Sequence, residues 1–109
     1  MNIDSLIPIY AVPSILRKGA PVYDMISEQT VTVVSLEEPE QGKEQKAVVG
    51  PIRGRLTSRK IGFLYLDLRE PLGRNAAVAW LQQRGRRVGE GISERDLKKA
   101  VLDLARCLR

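Results

Sequence analysis

The last third of the chain carries apolar side chains at helical spacing. This apolar stripe consists of Leu97, Val101, Leu104 and Leu108. Their intervals of four, three and four residues place them along one side of an α-helix. Ser93 precedes the run and is a favourable N-cap, so the sequence predicts that the helix begins there. Two interpretations of the stripe remain open, a face buried in the core and the seam of a dimer.

A second helix is predicted over residues 76–84, upstream of the first. Asn75 is a favourable N-cap for it, and Gly85 is a favourable stop. The connector 85–92 contains three glycines and separates the two helices. It is longer than the turn of a helix-turn-helix motif, so the pattern indicates a basic helix pair without that motif.

The middle of the chain is rich in β-branched and apolar residues, which predict strands. The predicted strands are 22–26, 30–36, 46–56 and 60–68. Residues 60–68 have apolar side chains on both faces, as in a central strand. The strand over 46–56 is expected to break near Gly50 and Pro51, because an interior proline belongs at an edge or a bulge. Residues 57–59 would form the next turn, and the polar stretch 37–44 an exposed hairpin loop.

Residues 1–21 contain three prolines among many apolar side chains. Proline removes a backbone donor and restricts the residue before it, so we predict an extended arm followed by a single domain over 22–109. The arm either covers the sheet or docks on another subunit or partner. The candidate interface residues are Ile7, Ile9 and Tyr10 of the arm, with Leu104 and Leu108 of the last helix.

Together these elements predict an α+β fold with a three- to four-stranded antiparallel meander followed by two C-terminal helices. The composition agrees, since 109 residues with 43% hydrophobic and 28% charged side chains suffice for one domain with its own core. No stretch approaches the ~20 apolar residues of a membrane-spanning helix, so we expect no membrane association. A single cysteine, Cys107, and no visible export signal make the cytoplasm the expected compartment.

The residue types that most enzymes and metal sites use are scarce in this chain. There is no histidine and only one cysteine, which excludes Ser–His and Cys–His nucleophilic systems and the usual zinc sites. No phosphate-binding loop or dinucleotide motif is present. Asp67 and Glu70 lie close together near a strand end, where carboxylates are usually solvated or ion-paired. We therefore expect no enzymatic activity, no metal and no cofactor.

The charge is divided unevenly along the chain. Residues 1–50 carry four basic and seven acidic side chains, and residues 51–109 carry fourteen and six, so the two parts contribute −3 and +8 to the net charge of +5. This asymmetry favours an acidic partner for the second part, either nucleic acid or protein. An arginine-rich composition without any ligand is the alternative.

Two basic groups form the basis of a nucleic-acid-binding hypothesis. The residues expected to contact phosphate are Arg53, Arg55, Arg59, Lys60, Arg84, Arg86 and Arg87. If the predicted strand 46–56 pairs with 60–68, Tyr65 lies on the same face as Arg53 and Arg55 and offers a stacking surface for DNA or RNA. The alternative is a protein-interaction module that acts as an adaptor, assembly subunit or inhibitor. A homo-oligomer is one form of it, since the acidic loop 37–44 lies beside a basic body.

Overall fold

One antiparallel sheet of six strands and two helices are found in the computed structural model, which describes residues 5–38, 41–42 and 44–108. The strands are β1 Leu6–Pro8, β2 Pro21–Asp24, β3 Gln29–Leu36, β4 Lys46–Ile52, β5 Arg55–Lys60 and β6 Leu64–Asp67, in the spatial order β1-β6-β2-β3-β4-β5. The helices are α1 Pro71–Gln83 and α2 Glu94–Cys107. One-turn 3₁₀ helices span Ile9–Ala11, Pro13–Ile15 and Ile61–Phe63. The predicted α+β class is confirmed, with six strands in place of three or four. Residues 39, 40 and 43 of the predicted loop lie outside the described residues.

The predicted strand over 46–56 is two strands. β4 ends at Ile52 and β5 begins at Arg55, and these two residues are partners in the antiparallel ladder. Arg53 and Gly54 between them have φ values of 50° and 76°, the left-handed geometry of a two-residue hairpin turn. The expected turn over 57–59 is therefore wrong, because those residues lie within β5. The turn was missed because arginine takes the place that asparagine or aspartate usually occupies.

The predicted strand over 60–68 begins later than expected, because Ile61–Phe63 forms a 3₁₀ turn and only Leu64–Asp67 is extended. Its central position is confirmed, since β6 pairs with β1 on one side and with β2 on the other. β6 does not pair with β5 in the described sheet. Tyr65 therefore lies opposite Tyr23 and Pro8 in the ladder and has no partner in β5.

The proline-containing segment after residue 4 is part of the core. Leu6–Pro8 pairs with β6, with Ile7 directly opposite Leu66. The side chains of Ile7, Ile9 and Val12 are fully buried. This segment covers the sheet, which is one of the two roles that the sequence left open for it.

The helices complete the core. α2 is capped as predicted, since the Ser93 side chain accepts a hydrogen bond of 3.1 Å from the Asp96 N–H. Leu97, Val101 and Leu104 are buried, which assigns this part of the stripe to the core, whereas Leu108 is 60% exposed. None of the described helices is long and apolar enough to cross a bilayer.

The start of α1 differs from the prediction. The helix begins at Pro71, five residues earlier than expected, and Glu70 takes the N-cap position without a side-chain hydrogen bond. Proline is favoured at the first helical position because its missing N–H is not needed there. Asn75 lies inside the helix and caps nothing.

The sheet curls strongly, as an ion pair between two distant strands shows. β5 lies at the edge of the sheet and β2 is separated from it by two strands. Even so, the Arg59 Nε lies 3.0 and 3.1 Å from the two carboxylate oxygens of Asp24. The Asp24 side chain is completely buried and also accepts hydrogen bonds from the Ser27 hydroxyl and the Ile26 N–H. The ion pair therefore joins strands that the ladder itself does not connect.

Candidate functional site

A groove opens where the segment after β1 meets the C-terminal ends of both helices. Its volume is about 300 Å³. We call it the Tyr10 groove, and its lining residues are Tyr10, Ala11, Pro13, Ser14, Trp80, Arg84, Ala105 and Leu108. Most of these side chains are apolar, and the Arg84 guanidinium is the only charged group that the described residues bring to the groove.

Two large apolar side chains on the rim of the groove remain in solvent. Tyr10 is 55% exposed, on the short 3₁₀ helix Ile9–Ala11 that follows Pro8. Leu108 is 60% exposed, one turn beyond the buried Leu104 at the end of α2. Single exposed apolar residues are ordinary, but two at one recess with an apolar floor are typical of an interaction site.

Trp80 forms the floor of the Tyr10 groove and Arg84 its charged edge. The indole is almost fully buried, at 4% exposure. The Arg84 guanidinium carbon lies 4.2 Å from the centroid of the indole ring, a cation–π contact. Arg84 also donates through Nη1 to the Trp80 carbonyl oxygen at 3.0 Å and through Nη2 to the Ser14 hydroxyl at 3.4 Å. These contacts fix the guanidinium in one orientation beside the apolar floor.

A smaller recess lies on the other side of Tyr10. It measures about 190 Å³ and shares Tyr10, Ala11 and Ala105 with the Tyr10 groove. Arg106 of α2 lines this recess as Arg84 lines the first. Among the described residues that line the two recesses, none is acidic. Tyr10 therefore lines two adjoining recesses, each with one arginine.

The chain matches no family model, no curated protein and no solved structure. Its function is therefore inferred from the chemistry of its own surface, including the residues that the sequence singled out.

The candidate interface residues separate into two groups. Ile7 and Ile9 are fully buried within the chain, and Leu104 is 8% exposed, so none of them presents a surface to a partner. Their apolar character reflects the core instead. Tyr10 and Leu108 are exposed and meet at the Tyr10 groove.

Of the seven candidate phosphate contacts, three lie near the C-terminal end of α1. Arg84 is engaged with Trp80, whereas Arg86 and Arg87 are exposed in the connector. Neither has a side-chain partner within the described part of the chain. These two arginines also line a recess of about 220 Å³ beside α2, which contains Asp103.

The other four candidate contacts lie along the β4–β5 hairpin. Arg53 and Arg55 are exposed at its tip, and Lys60 is exposed opposite Lys46 at its other end. Arg59 is different, because its guanidinium is committed to Asp24 and its side chain is only 16% exposed. The strand pairing on which the expected combination of arginines and a stacking ring depended is not formed, because β6 pairs with β1 and β2 and not with β5.

Burial and hydrogen bonding act in opposite directions on the pKa of Asp24. Burial alone raises it, but the hydrogen bonds from Arg59, Ser27 and the Ile26 N–H together with the Arg59 charge outweigh burial and lower the pKa below its usual value of 3.8. Asp24 is therefore a stable carboxylate at neutral pH.

The two carboxylates near the end of β6 also have structural roles. Asp67 forms a two-bond contact with Arg69, with Nε–Oδ1 and Nη2–Oδ2 distances of 3.1 and 3.0 Å. The hydrogen bonds and the charge of Asp67 raise the pKa of Arg69. Glu70 is the N-cap residue of α1. Within the described residues, no group of three or more acidic, cysteine or histidine side chains is arranged to hold a metal ion.

The sequence did not reveal the residues that form a recess beside the exposed side chains of Tyr10 and Leu108. Trp80, Ser14 and Ala105 were not among the predicted site residues. The four-residue interval between Trp80 and Arg84 was visible in the sequence and is typical of a side-chain contact on a helix. Cys107 is exposed next to Leu108.

Proposed function

We propose that this chain is a non-catalytic protein-interaction module that binds a partner at the Tyr10 groove. The observation that carries the proposal is the pair of exposed apolar side chains, Tyr10 and Leu108, at a recess floored by Trp80. Contiguous exposed apolar surface is unfavourable in water, and in soluble proteins it usually marks a contact with another molecule. Aromatic residues and arginine are also the types that dominate binding energy at protein interfaces.

The groove lining supports binding more than catalysis. Among the described residues, the lining includes no carboxylate, histidine or thiol that could transfer a proton or attack a substrate. The volume of about 300 Å³ is at the lower end of the range for small-molecule sites. It suits one or two side chains of a protein partner.

Selection of peptides from a random display library on the immobilised full chain tests this proposal. We expect enriched peptides that bind the wild-type chain and lose about tenfold or more of their affinity for the Y10A/L108A double variant. Both side chains are exposed, so their removal leaves the core intact, which the thermal unfolding midpoint verifies. Leu72→Ala is the matched control, because Leu72 is 65% exposed at the opposite end of α1. Enriched peptides that bind all three chains equally, or no enrichment, would overturn the proposal.

Nucleic-acid binding is the second candidate function. It is supported by five predicted contacts that remain exposed, namely Arg53, Arg55, Lys60, Arg86 and Arg87. Five phosphate contacts correspond to a log–log salt slope of about −4.5 on duplex DNA. Fluorescence anisotropy with labelled duplex DNA, single-stranded DNA and RNA measures this slope.

Separate variants measure how much the hairpin and the connector each contribute to the salt slope. The R53A/R55A double variant should reduce the slope by about 2 units if the hairpin tip contacts phosphate. R86A/R87A tests the connector in the same way. An unchanged slope in both variants, or no binding at low salt, would eliminate this second candidate.

A further inference from the structure

We infer that the partner segment accepted by the Tyr10 groove is acidic as well as apolar, with an apolar anchor side chain followed or preceded by carboxylates. This inference rests on the proposed function and adds the chemistry of the partner. Its basis is the position of Arg84 and Arg106, one on each of the two recesses beside Tyr10. Among the described lining residues no acidic side chain offsets their charge.

Arg84 is already arranged to receive a carboxylate. A guanidinium has five N–H donors, of which Arg84 uses one on Nη1 for Trp80 and one on Nη2 for Ser14. Three donors remain for a ligand, and Arg84 as a whole is exposed to solvent. Arginine binds carboxylates through two parallel hydrogen bonds, which are stronger than bonds between neutral groups.

The stacking of Arg84 on Trp80 adds to the expected affinity. A flexible arginine loses side-chain freedom when it binds a partner, which weakens the complex. Arg84 has lost much of this freedom before binding, because the ring contact and two hydrogen bonds hold it. An apolar anchor in the groove would also exclude water beside the guanidinium and strengthen its attraction to a carboxylate.

Further exposed apolar side chains lie on segments next to the 3₁₀ helix of Tyr10, which favours a polypeptide segment over a small molecule. The 3₁₀ helix that carries Tyr10 packs against Ile61–Phe63, whose Phe63 is 41% exposed. The Phe63 carbonyl oxygen accepts a 3.0 Å hydrogen bond from the Met25 N–H, next to the 53% exposed Ile26. A stable protein interface buries about 800 Å² on each side, more than one groove provides. A partner that runs from Leu108 past Tyr10 toward Phe63 would reach such an area.

The composition of the peptides selected on the full chain tests the inference. We expect those that depend on Tyr10 and Leu108 to be enriched in aspartate and glutamate beside an aromatic or leucine anchor. If groove-dependent peptides are neutral or basic, the acidic inference falls while the interaction function stands. If no enriched peptide depends on the groove, both fall together.

Arginine variants provide the second readout. Each selected acidic peptide is compared with a counterpart in which amides replace the carboxylates. The wild-type chain should bind the acidic form with an affinity about tenfold higher. The R84A/R106A double variant should reduce this preference to about twofold, and the ratio of the two affinities cancels any change that affects both peptides equally. R95A is the matched control, since Arg95 is exposed in the first turn of α2, at the other end of the helix. An unchanged preference in R84A/R106A would overturn the inference.

Sedimentation of the chain alone identifies a competing occupant, a second copy of the same protein. A monomer at micromolar concentration is the expected result. A dimer that Y10A/L108A dissociates would assign the groove to self-association and overturn the inference of an acidic partner.

Discussion

The guanidinium carbon of Arg84 lies 4.2 Å from the centroid of the Trp80 ring, and Arg84 follows Trp80 by one helical turn. The same side chain donates to the Trp80 carbonyl oxygen, so it folds back over the ring toward the groove. Cation–π contacts of this kind contribute about 0.5–1 kcal/mol at exposed sites. Because Trp80 is the only tryptophan of the chain, its fluorescence reports on the groove alone.

Replacement of Arg84 by alanine should uncover the indole ring. We expect a red-shifted emission maximum and a higher acrylamide quenching constant, because the ring gains water on the side that the guanidinium covers. Arg87→Ala is the control, since Arg87 lies exposed in the connector without contact to Trp80 in the described structure. Identical quenching in the wild-type chain and R84A would mean that the stacked geometry does not persist in solution.

The ion pair between Asp24 and Arg59 predicts a specific dependence of stability on pH. The pKa of Asp24 is lower in the folded chain than its usual value of 3.8. The pair therefore contributes its full stability above about pH 3.8, and this contribution is lost as the pH falls through the lower folded value. Urea unfolding between pH 7 and pH 2 should show the difference between the wild-type chain and Asp24→Asn shrink only in this acidic window.

The partner variant should respond to pH in a way that identifies the pair. Arg59→Ala leaves a buried carboxylate without its cation and is expected to lower the free energy of unfolding by about 3–5 kcal/mol at neutral pH. The loss should decrease toward acid, where the carboxyl is protonated. Arg55→Ala on the same strand is exposed and should change stability by no more than about 0.5 kcal/mol. A pH-independent loss in R59A would contradict the charged pair.

The sequence predicted correctly those features that depend on residues close to one another along the chain. Ser93 caps α2 because a hydroxyl there satisfies the Asp96 N–H, and the intervals of the leucine stripe place Leu97 and Leu104 in the core. The hairpin at Arg53 escaped prediction because arginine rarely adopts positive φ, and only the pairing of β4 with β5 reveals the turn.

The site was less predictable than the fold. The exposure of Tyr10 and Leu108 and the engagement of Arg59 depend on contacts between residues far apart in the sequence. A count of charges or apolar residues does not contain this information. An alternating pattern also cannot tell which face of β5 turns toward Asp24, because that follows from the curl of the whole sheet.

Gly73 should tolerate no side chain, in contrast to most glycines in helices. In a helix interior, Gly→Ala ordinarily stabilises by about 0.5–1 kcal/mol. At Gly73 an added Cβ would overlap the Asp67 carbonyl oxygen, a backbone atom that cannot move aside cheaply. We therefore expect Gly73→Ala to destabilise by about 1–3 kcal/mol or more in thermal or urea unfolding. Gly89→Ala is the control, because a Cβ added there would meet no atom within 4 Å and the change should be neutral or slightly favourable.

Two candidate helix caps provide a paired test of where the helices begin. Ser93→Ala removes the acceptor of the Asp96 N–H and should lower the free energy of unfolding by about 1 kcal/mol. Asn75→Ala should be neutral or stabilise by up to about 0.7 kcal/mol, because Asn75 lies inside α1, where alanine is the better helix former.

Thermal unfolding resolves the two effects, since 1 kcal/mol corresponds to about 4 °C in a domain of this size. The expected result is a lower midpoint for S93A and an equal or higher midpoint for N75A. A loss of stability in N75A comparable to that in S93A would place the start of α1 at Asn75, as the sequence alone predicts, and would contradict a helix that begins at Pro71.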